Sequence, residues 1–189
     1  MSVPGSHFDR LYAADTDPWG FEERWYERRK YALTLAALPE ERVERALELG
    51  CSIGVLTVGL AARCAALVAV DVAAAPLAQA RERAAALPHV RFEQLALPDG
   101  WPAGGPFDLV VLSEMGYYLD EPDLGRLLDR IAGDLRPGGH VVAVHWRGHA
   151  VTEPLTGDRV HELLAAHGAL AVAASYHEPA FRLDVLQRA

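Results

Sequence analysis

The sequence predicts an α/β protein built around a mostly parallel sheet. Three observations support this: seven short apolar runs occur, segments of helical periodicity separate most of them, and no helix separates the last two. Strands that alternate with helices of ten or more residues indicate βαβ units, and two directly successive strands favour a hairpin. We therefore expect one domain, residues 1–189, with a doubly wound seven-stranded sheet and a C-terminal antiparallel hairpin.

The predicted elements follow each other in a regular order. Strands are expected at residues 46–49, 67–70, 90–94, 107–112, 140–146, 169–175 and 181–186. Helices are expected at residues 22–38, 55–64, 76–87, 123–135 and 160–167. The run FDLVVL at 107–112 is continuously apolar, which is typical of a strand buried on both faces. Pro39, Pro88 and Gly168 act as helix stops.

The composition restricts the class of protein and of partner. The chain is 51% hydrophobic and carries a net charge of −8, from 18 basic and 26 acidic residues. Such a balance disfavours nucleic acid as a partner and tolerates a cationic ligand. No apolar run approaches the ~18 residues of a membrane span. No secretory signal pattern is present at the N-terminus, so we expect a cytoplasmic protein. We also expect a monomer or a homodimer.

A glycine loop and a following acid predict a nucleoside site. Gly50, Cys51 and Ser52 follow the first strand, and Asp71 ends the second strand 21 residues after Gly50. A carboxylate at this spacing can accept both hydroxyls of a ribose. Ser52 stands where a dinucleotide site needs no side chain, which disfavours a pyrophosphate. S-adenosylmethionine has an adenosine and no phosphates, and its carboxylate could lie near the next helix N-terminus. The alternative is that these are only turn and cap residues.

The chain resembles the class I S-adenosylmethionine-dependent methyltransferases, and within them the nodulation protein S (NodS-like) group. The matching words are Asp17-Pro18-Trp19, Glu27-Arg28-Arg29, LELGCSIGVLT (47–57), VDVAAAPLAQAR (70–81), FDLVVLSEMGYYLDE (107–121), LRPGGH (135–140) and WRGH (146–149). The resemblance implies a Rossmann-like core over residues 41–189 and an N-terminal helical leader or lid over residues 1–40. It also implies N-methylation of an amine such as that of an amino sugar, with S-adenosylhomocysteine as the product.

The sequence departs from the family after the third strand. Many class I enzymes place an Asp there to hold the adenine amino group, whereas this chain has Leu95, Ala96 and Leu97. These residues can contact an adenine only through apolar surface and backbone groups. We expect them to bind the cofactor together with Asp71 and its neighbour Val72.

Candidates for the chemistry follow the fourth and fifth strands, where α/β folds bind ligands. Methyl transfer needs an aligned acceptor amine in its neutral form. A carboxylate, a histidine or a tyrosine nearby can accept the proton that the amine must first lose. We expect Ser113 and Glu114 to contact the cofactor, and Glu114, Tyr118 and His145 to act on the acceptor. Tyr118 could instead be a core aromatic. His145 and His149 lack a third ligand, and Cys51 and Cys64 do not have zinc-site spacing, so no metal is predicted.

The leader is expected to fold over the cofactor and exclude water. Tyr12, Trp19 and Arg28 are the leader residues expected to contact it. The alternative is that the leader only covers a hydrophobic face. Tyr26 and Lys30 have a spacing that occurs in short-chain dehydrogenases, but they precede the first strand. We interpret that pair as a chance match on a solvated helix face.

Four functions compete at this point. The preferred one is N-methylation of a small molecule, and O-methylation on the same fold is the first alternative, because both need a polar group near the methyl. A nicotinamide-dependent oxidoreductase is a distant alternative that Ser52 opposes. A catalytically silent nucleoside-binding partner subunit is the fourth.

Overall fold

Seven strands form one sheet in the computed structural model, which describes residues 1–189. The strands are β1 (Val43–Leu49), β2 (Cys64–Asp71), β3 (Val90–Gln94), β4 (Phe107–Ser113), β5 (Leu135–Trp146), β6 (Leu170–His177) and β7 (Phe181–Arg188). Their order across the sheet is β3-β2-β1-β4-β5-β7-β6. Strands β1 to β5 pair in parallel, and β7 is antiparallel to both β5 and β6. The predicted fold class is thus confirmed.

Six helices and one 3₁₀ turn complete the chain. The helices are α1 (Gly5–Ala14), α2 (Trp25–Ala36), α3 (Val55–Ala61), α4 (Ala74–Arg83), α5 (Glu121–Asp134) and α6 (Gly157–Ala166), and the 3₁₀ turn is Gly116–Tyr118. Helix α1 is not among the helices predicted from periodicity. None of the helices has the length and apolar character that crossing a bilayer requires.

Strands β1, β2 and β5 begin earlier than predicted. The added residues include Glu44 and Arg45, which are exposed, so an apolar run does not mark them. At the start of β5, Leu135 pairs with Phe107 ahead of a register shift, and the predicted turn at residues 136–139 is part of the strand. Strand ends that are polar or irregular have no apolar pattern from which they could be predicted.

Alternate residues of the central strands bury against helices on opposite faces of the sheet. On β4, Leu109 and Val111 belong to the core beside α3, whereas Val110 and Leu112 belong to the core beside α5 and α6. A strand buried on both faces has no polar side, which explains the continuous apolar run. This arrangement brings the carboxyl ends of β1, β2, β4 and β5 to one edge of the sheet.

The N-terminal residues pack across that edge. Phe8 makes an edge-to-face contact with Tyr118, with ring centroids 4.9 Å apart, and the Val3 amide donates to the Tyr118 carbonyl at 2.8 Å. Tyr12 and Phe21 form a small separate core with Ile53 from the glycine loop. The segment before β1 therefore lies over the loops that follow the strands.

Candidate functional site

A cavity of about 790 Å³ lies at the carboxyl-end edge of the sheet, and its volume is in the range of small-molecule sites. Its walls come from the N-terminal segment, the glycine loop and the residues after β3, β4 and β5. The structure brings most of the predicted site residues together on these walls: Tyr12, Trp19, Gly50, Cys51, Ser52, Asp71, Val72, Leu95, Ala96, Leu97, Ser113, Glu114 and Tyr118. Arg28 and His145 are not among the lining residues.

The glycine loop takes a left-handed backbone at three positions, with φ of 76° at Gly50, 49° at Ser52 and 79° at Gly54. A Cβ at Gly50 would also lie 2.9 Å from the Met115 Cβ, so only glycine fits there. The amides of Gly50 and Cys51 donate to the Val70 carbonyl, and the Ser52 amide donates to Asp71. These amides hold the glycine loop against the end of β2.

Asp71 has the geometry of a ribose acceptor. Its Oδ2 accepts from the Ser52 amide at 2.9 Å and its Oδ1 accepts from the Ala73 amide at 3.0 Å. Burial raises the pKa of this carboxyl, and the backbone amides oppose that rise. Each carboxylate oxygen keeps a further lone pair, so two hydroxyl groups can still donate to it.

The leader contacts this loop directly. The Tyr12 hydroxyl hydrogen-bonds the Ser52 hydroxyl, and Trp19 stacks near Phe21 with ring centroids 5.6 Å apart. Arg28 does not take part: its side chain is exposed, donates to the Glu23 carbonyl and lies over the Trp25 ring. The expectation that Arg28 contacts the cofactor is wrong, because its position on α2 points it away from the cavity.

The wall after β3 is apolar, as the sequence indicates, and one acid joins it. Leu95 and Leu97 pack against the core, and Asp99 lines the cavity beyond them. Asp99 accepts from Arg126 at 2.7 Å. Asp99 lies two residues beyond Leu97, outside the segment in which the sequence predicts contacts with the cofactor.

Lys30 is the centre of a polar cluster at the other end of the cavity. Its side chain is 1% exposed, and its Nζ lies 2.7 Å from Glu27 Oε2 and 3.0 Å from Glu114 Oε1. The ammonium also lies 4.7 Å from the centroid of the Tyr26 ring. The interpretation of Lys30 as part of a solvated helix face is wrong, since α2 buries that face against the residues after β4.

Glu114 is held by hydrogen bonds to one carboxylate oxygen and by an ion pair at the other. Its Oε2 accepts from the Tyr117 hydroxyl at 2.5 Å and from the Trp146 amide at 3.2 Å, while Oε1 faces Lys30. Its backbone is left-handed, with φ of 56°. A carboxylate in such a conformation is directed by the surrounding chain and not by its own backbone preference.

Two further carboxyl groups near Glu114 were not predicted from the sequence as site residues. Glu27, on α2, is buried and lines the cavity, and burial raises its pKa although Lys30 opposes the rise. Glu153 lines the cavity from the loop after β5, and its pKa is also raised by burial. Glu27 belongs to the quoted segment Glu27-Arg28-Arg29 and Glu153 to no quoted segment, but neither was predicted as a site residue, because the contacts that gather them come from distant parts of the chain.

His145 has a different place from the one predicted. Its ring is 0% exposed and has both nitrogens bonded: the Gly116 amide donates to Nε2 at 3.1 Å, and Nδ1 lies 3.1 Å from His161 Nε2. Because β5 directs this side chain into the layer beneath α6, the expectation that it faces the acceptor is wrong. No group of three His, Cys, Asp or Glu side chains is arranged to hold a metal ion.

Comparisons with known proteins agree with this geometry. A family described as "Methyltransferase domain" matches residues 46–139. Nodulation protein S from Rhizobium tropici is 32% identical over 136 residues, and trans-aconitate 2-methyltransferase from Deinococcus radiodurans is 37% identical over 134 residues. These matches cover 71% and 69% of this chain.

Solved structures are similar over nearly the whole chain. A crystal structure described as that of a methyltransferase from Pseudomonas syringae is 47% identical, with a TM-score of 0.77, and covers 87% of this chain and 100% of that one. The N-methyltransferase NodS from Bradyrhizobium japonicum WM9, in complex with S-adenosylhomocysteine, is 25% identical with a TM-score of 0.85, and the match covers 97% of each chain.

The curated relatives are longer than the region that matches. The chain spans 56% of the Rhizobium tropici protein and 46% of the Deinococcus radiodurans protein.

Proposed function

Because the chain belongs to the class I S-adenosylmethionine-dependent methyltransferases and is NodS-like, we propose that it methylates an amine of a small molecule such as an amino sugar. S-adenosylmethionine is the methyl donor of this family, and the NodS structure holds the product S-adenosylhomocysteine. A nicotinamide cofactor finds no support in these comparisons.

The cavity has the groups that this cofactor needs. Asp71 can accept both ribose hydroxyls, and the apolar wall of Leu95 and Leu97 suits a flat base. When bound, S-adenosylmethionine supplies a methyl group that its sulfonium has already activated. The protein then has to align the acceptor, remove a proton from it and keep water out.

The observation that carries the proposal is the charge of the acceptor end of the cavity. Three carboxyl groups, those of Glu27, Glu114 and Glu153, line the cavity together with one ammonium, that of Lys30, which pairs with the first two. With these groups ionised the cluster has an excess of negative charge, which attracts a protonated amine. An acceptor that enters as a cation and must lose a proton fits a site of this sign.

Glu27 is the group best suited to take that proton. Its carboxylate forms an ion pair with Lys30, whereas that of Glu114 pairs with Lys30 and also accepts from Tyr117 and from the Trp146 amide. A raised pKa brings the Glu27 carboxylate closer to the basicity that a general base needs near neutral pH. In this proposal Glu114 orients the acceptor amine, and Tyr118 shapes the space around it.

O-methylation is the second candidate, and Lys30 is the observation that favours it. An ammonium in the cavity could bind a carboxylate acceptor, and one relative is a trans-aconitate 2-methyltransferase. Against this, two carboxylates already neutralise Lys30. We therefore place O-methylation behind N-methylation.

An acceptor panel tests the proposal. We expect S-adenosylhomocysteine release with glucosamine or a related amino sugar, and one added methyl group on nitrogen by mass spectrometry and NMR. The matched control is N-acetylglucosamine, which has the same ring without a free amine and should not react. Methylation of a hydroxyl or of aconitate instead would contradict N-methylation. Tight S-adenosylhomocysteine binding without turnover on any acceptor would indicate a silent binding subunit.

A further inference from the structure

A chain of buried hydrogen bonds runs from the cavity wall, between the sheet and α6, to β7. The Gly116 amide bonds to His145, His145 bonds to His161 at 3.1 Å, and His161 Nδ1 lies 2.7 Å from Asp184 Oδ2. The side chains of His145, His161 and Asp184 are all fully buried. No step of the proposed reaction uses them.

The direction of every bond in this chain follows from its first donor. An amide can only donate, so His145 Nε2 accepts from Gly116 and the neutral ring carries its proton on Nδ1. His145 then donates to His161 Nε2, and His161 donates from Nδ1 to the Asp184 carboxylate. Arg182 donates to the same carboxylate at 2.8 Å and completes its neutralisation. One protonation pattern thus gives each of these hydrogen bonds one donor and one acceptor.

The hydrogen-bond chain supports the 3₁₀ turn, which carries part of the proposed acceptor site. Gly116 opens the 3₁₀ turn, Tyr117 in that turn donates to Glu114, and Tyr118 lines the cavity. A Cβ at Gly116 would lie 2.9 Å from His145 Nε2, so the turn rests directly on the imidazole. All four ring nitrogens of His145 and His161 have a partner, and a buried network of this kind favours one geometry over its alternatives.

We propose that His145 is a positioning residue, which through the His145–His161–Asp184 chain fixes the turn at Gly116–Tyr118 and so directs Tyr117 and Glu114 toward the acceptor. The proposal rests on the proposed function, because that function places Glu114 beside the acceptor. It replaces the expected role of His145 as a group that acts on the acceptor itself.

The charged groups around the chain are consistent with a neutral His145. His161, Lys30 and Asp184 face it, and Asp158 and Arg182 face His161. Burial, with help from His161 and Lys30, holds the pKa of His145 well below its usual range, and burial lowers the pKa of His161. A neutral ring is what acceptance from the Gly116 amide requires.

Replacement of His145 by leucine and by glutamine separates the possible roles. Leucine removes the acceptor for Gly116, whereas the amide oxygen of glutamine can replace Nε2 but cannot titrate. We expect H145L to lower kcat at least tenfold, with the Kd for S-adenosylhomocysteine within twofold of the wild type. We expect H145Q to recover most of the lost kcat and to keep the pH profile of the wild type.

Two kinetic outcomes would overturn the proposal. If H145Q is as impaired as H145L and lacks one limb of the pH profile, His145 exchanges protons with the acceptor. If both variants melt at a lower temperature but keep the wild-type kcat when folded, the hydrogen bonds of His145 only stabilise the fold. If the acceptor panel identifies a non-amine substrate, the proposed function fails, and the same comparison with that substrate tests the positioning role.

A measurement on the unmodified protein makes the test independent of whether the variants fold. In protein labelled with ¹⁵N-histidine, NMR should show His145 and His161 as neutral rings protonated on Nδ1 from about pH 6 to 9. A proton on Nε2 of His145, or its titration within this range, would contradict the chain of bonds and the proposal with it.

Discussion

Lys30 shows at the scale of one residue why burial is difficult to infer from sequence. It stands in the run Glu27-Arg28-Arg29-Lys30, which has the composition of a solvated helix face. Its neighbours Arg28 and Arg29 do reach solvent or the surface, but Lys30 meets Glu114, which lies 84 residues further along the chain. A partner at that separation leaves no local signal, so neither Lys30 nor Glu27 could be assigned to the site in advance.

Asp71 is the opposite case, because its spacing after the glycine loop predicts its place in the cavity wall. We predict that Asp71→Ala weakens S-adenosylhomocysteine binding by about 1.5–3 kcal/mol, the range for hydrogen bonds to a charged group. Titration calorimetry measures this, with Asp129→Ala as the control because that carboxylate is exposed on α5. An unchanged affinity in the Asp71 variant would remove this residue from the binding site.

At the scale of elements, hydrophobic periodicity located all seven strands and five of the six helices. The N-terminal helix α1 escaped because its apolar residues are few and tertiary contacts stabilise it. Phe8 packs on Tyr118, and Tyr12 bonds to Ser52 in the glycine loop. The direction of the strands was predictable from the connections between them, whereas the docking of α1 depends on contacts with residues 40 to 110 positions away.

We expect the leader to become more protected when S-adenosylhomocysteine binds. Adding S-adenosylhomocysteine should slow hydrogen exchange over residues 12–28, since those residues pack beside the glycine loop, and should leave residues 169–189 unchanged. Deleting residues 1–19 should leave a folded core and raise the Kd for this ligand at least tenfold, about 1.4 kcal/mol.

The rival explanation is that the leader only covers a hydrophobic face. It requires a lower melting temperature for the truncated protein, with an unaltered Kd and equal exchange protection with and without ligand. That combination would remove the lid from the proposed mechanism.

At the scale of the whole molecule, stability should respond to one buried acid beneath the cavity. Glu48 on β1 is 2% exposed, its Oε2 has no hydrogen-bond partner, and burial raises its pKa to about 8. The folded state therefore binds a proton that the unfolded chain releases near its ordinary pKa of about 4.5. The stability that the neutral carboxyl provides is fully present below that pH and is lost as the pH rises toward 8.

We predict that Glu48→Gln makes the ligand-free protein increasingly more stable than the wild type as the pH is raised from about 5 to 8. Glutamine stays neutral throughout, so the difference in the free energy of unfolding isolates the titration of this one group. Urea denaturation at a series of pH values measures it. A difference that does not vary with pH would show that Glu48 is ionised in the folded protein.

The contact between Tyr12 and Ser52 has a consequence for the order of events in turnover. The leader closes over the glycine loop, whereas the acceptor end is bordered by Trp146, which is 38% exposed. We predict that a nucleoside bound beneath the leader leaves only after that contact breaks, while the acceptor has an edge of its own. We therefore expect the methyl donor to bind first and the spent nucleoside to leave last, so that leader opening and not the chemical step sets the pace of successive cycles.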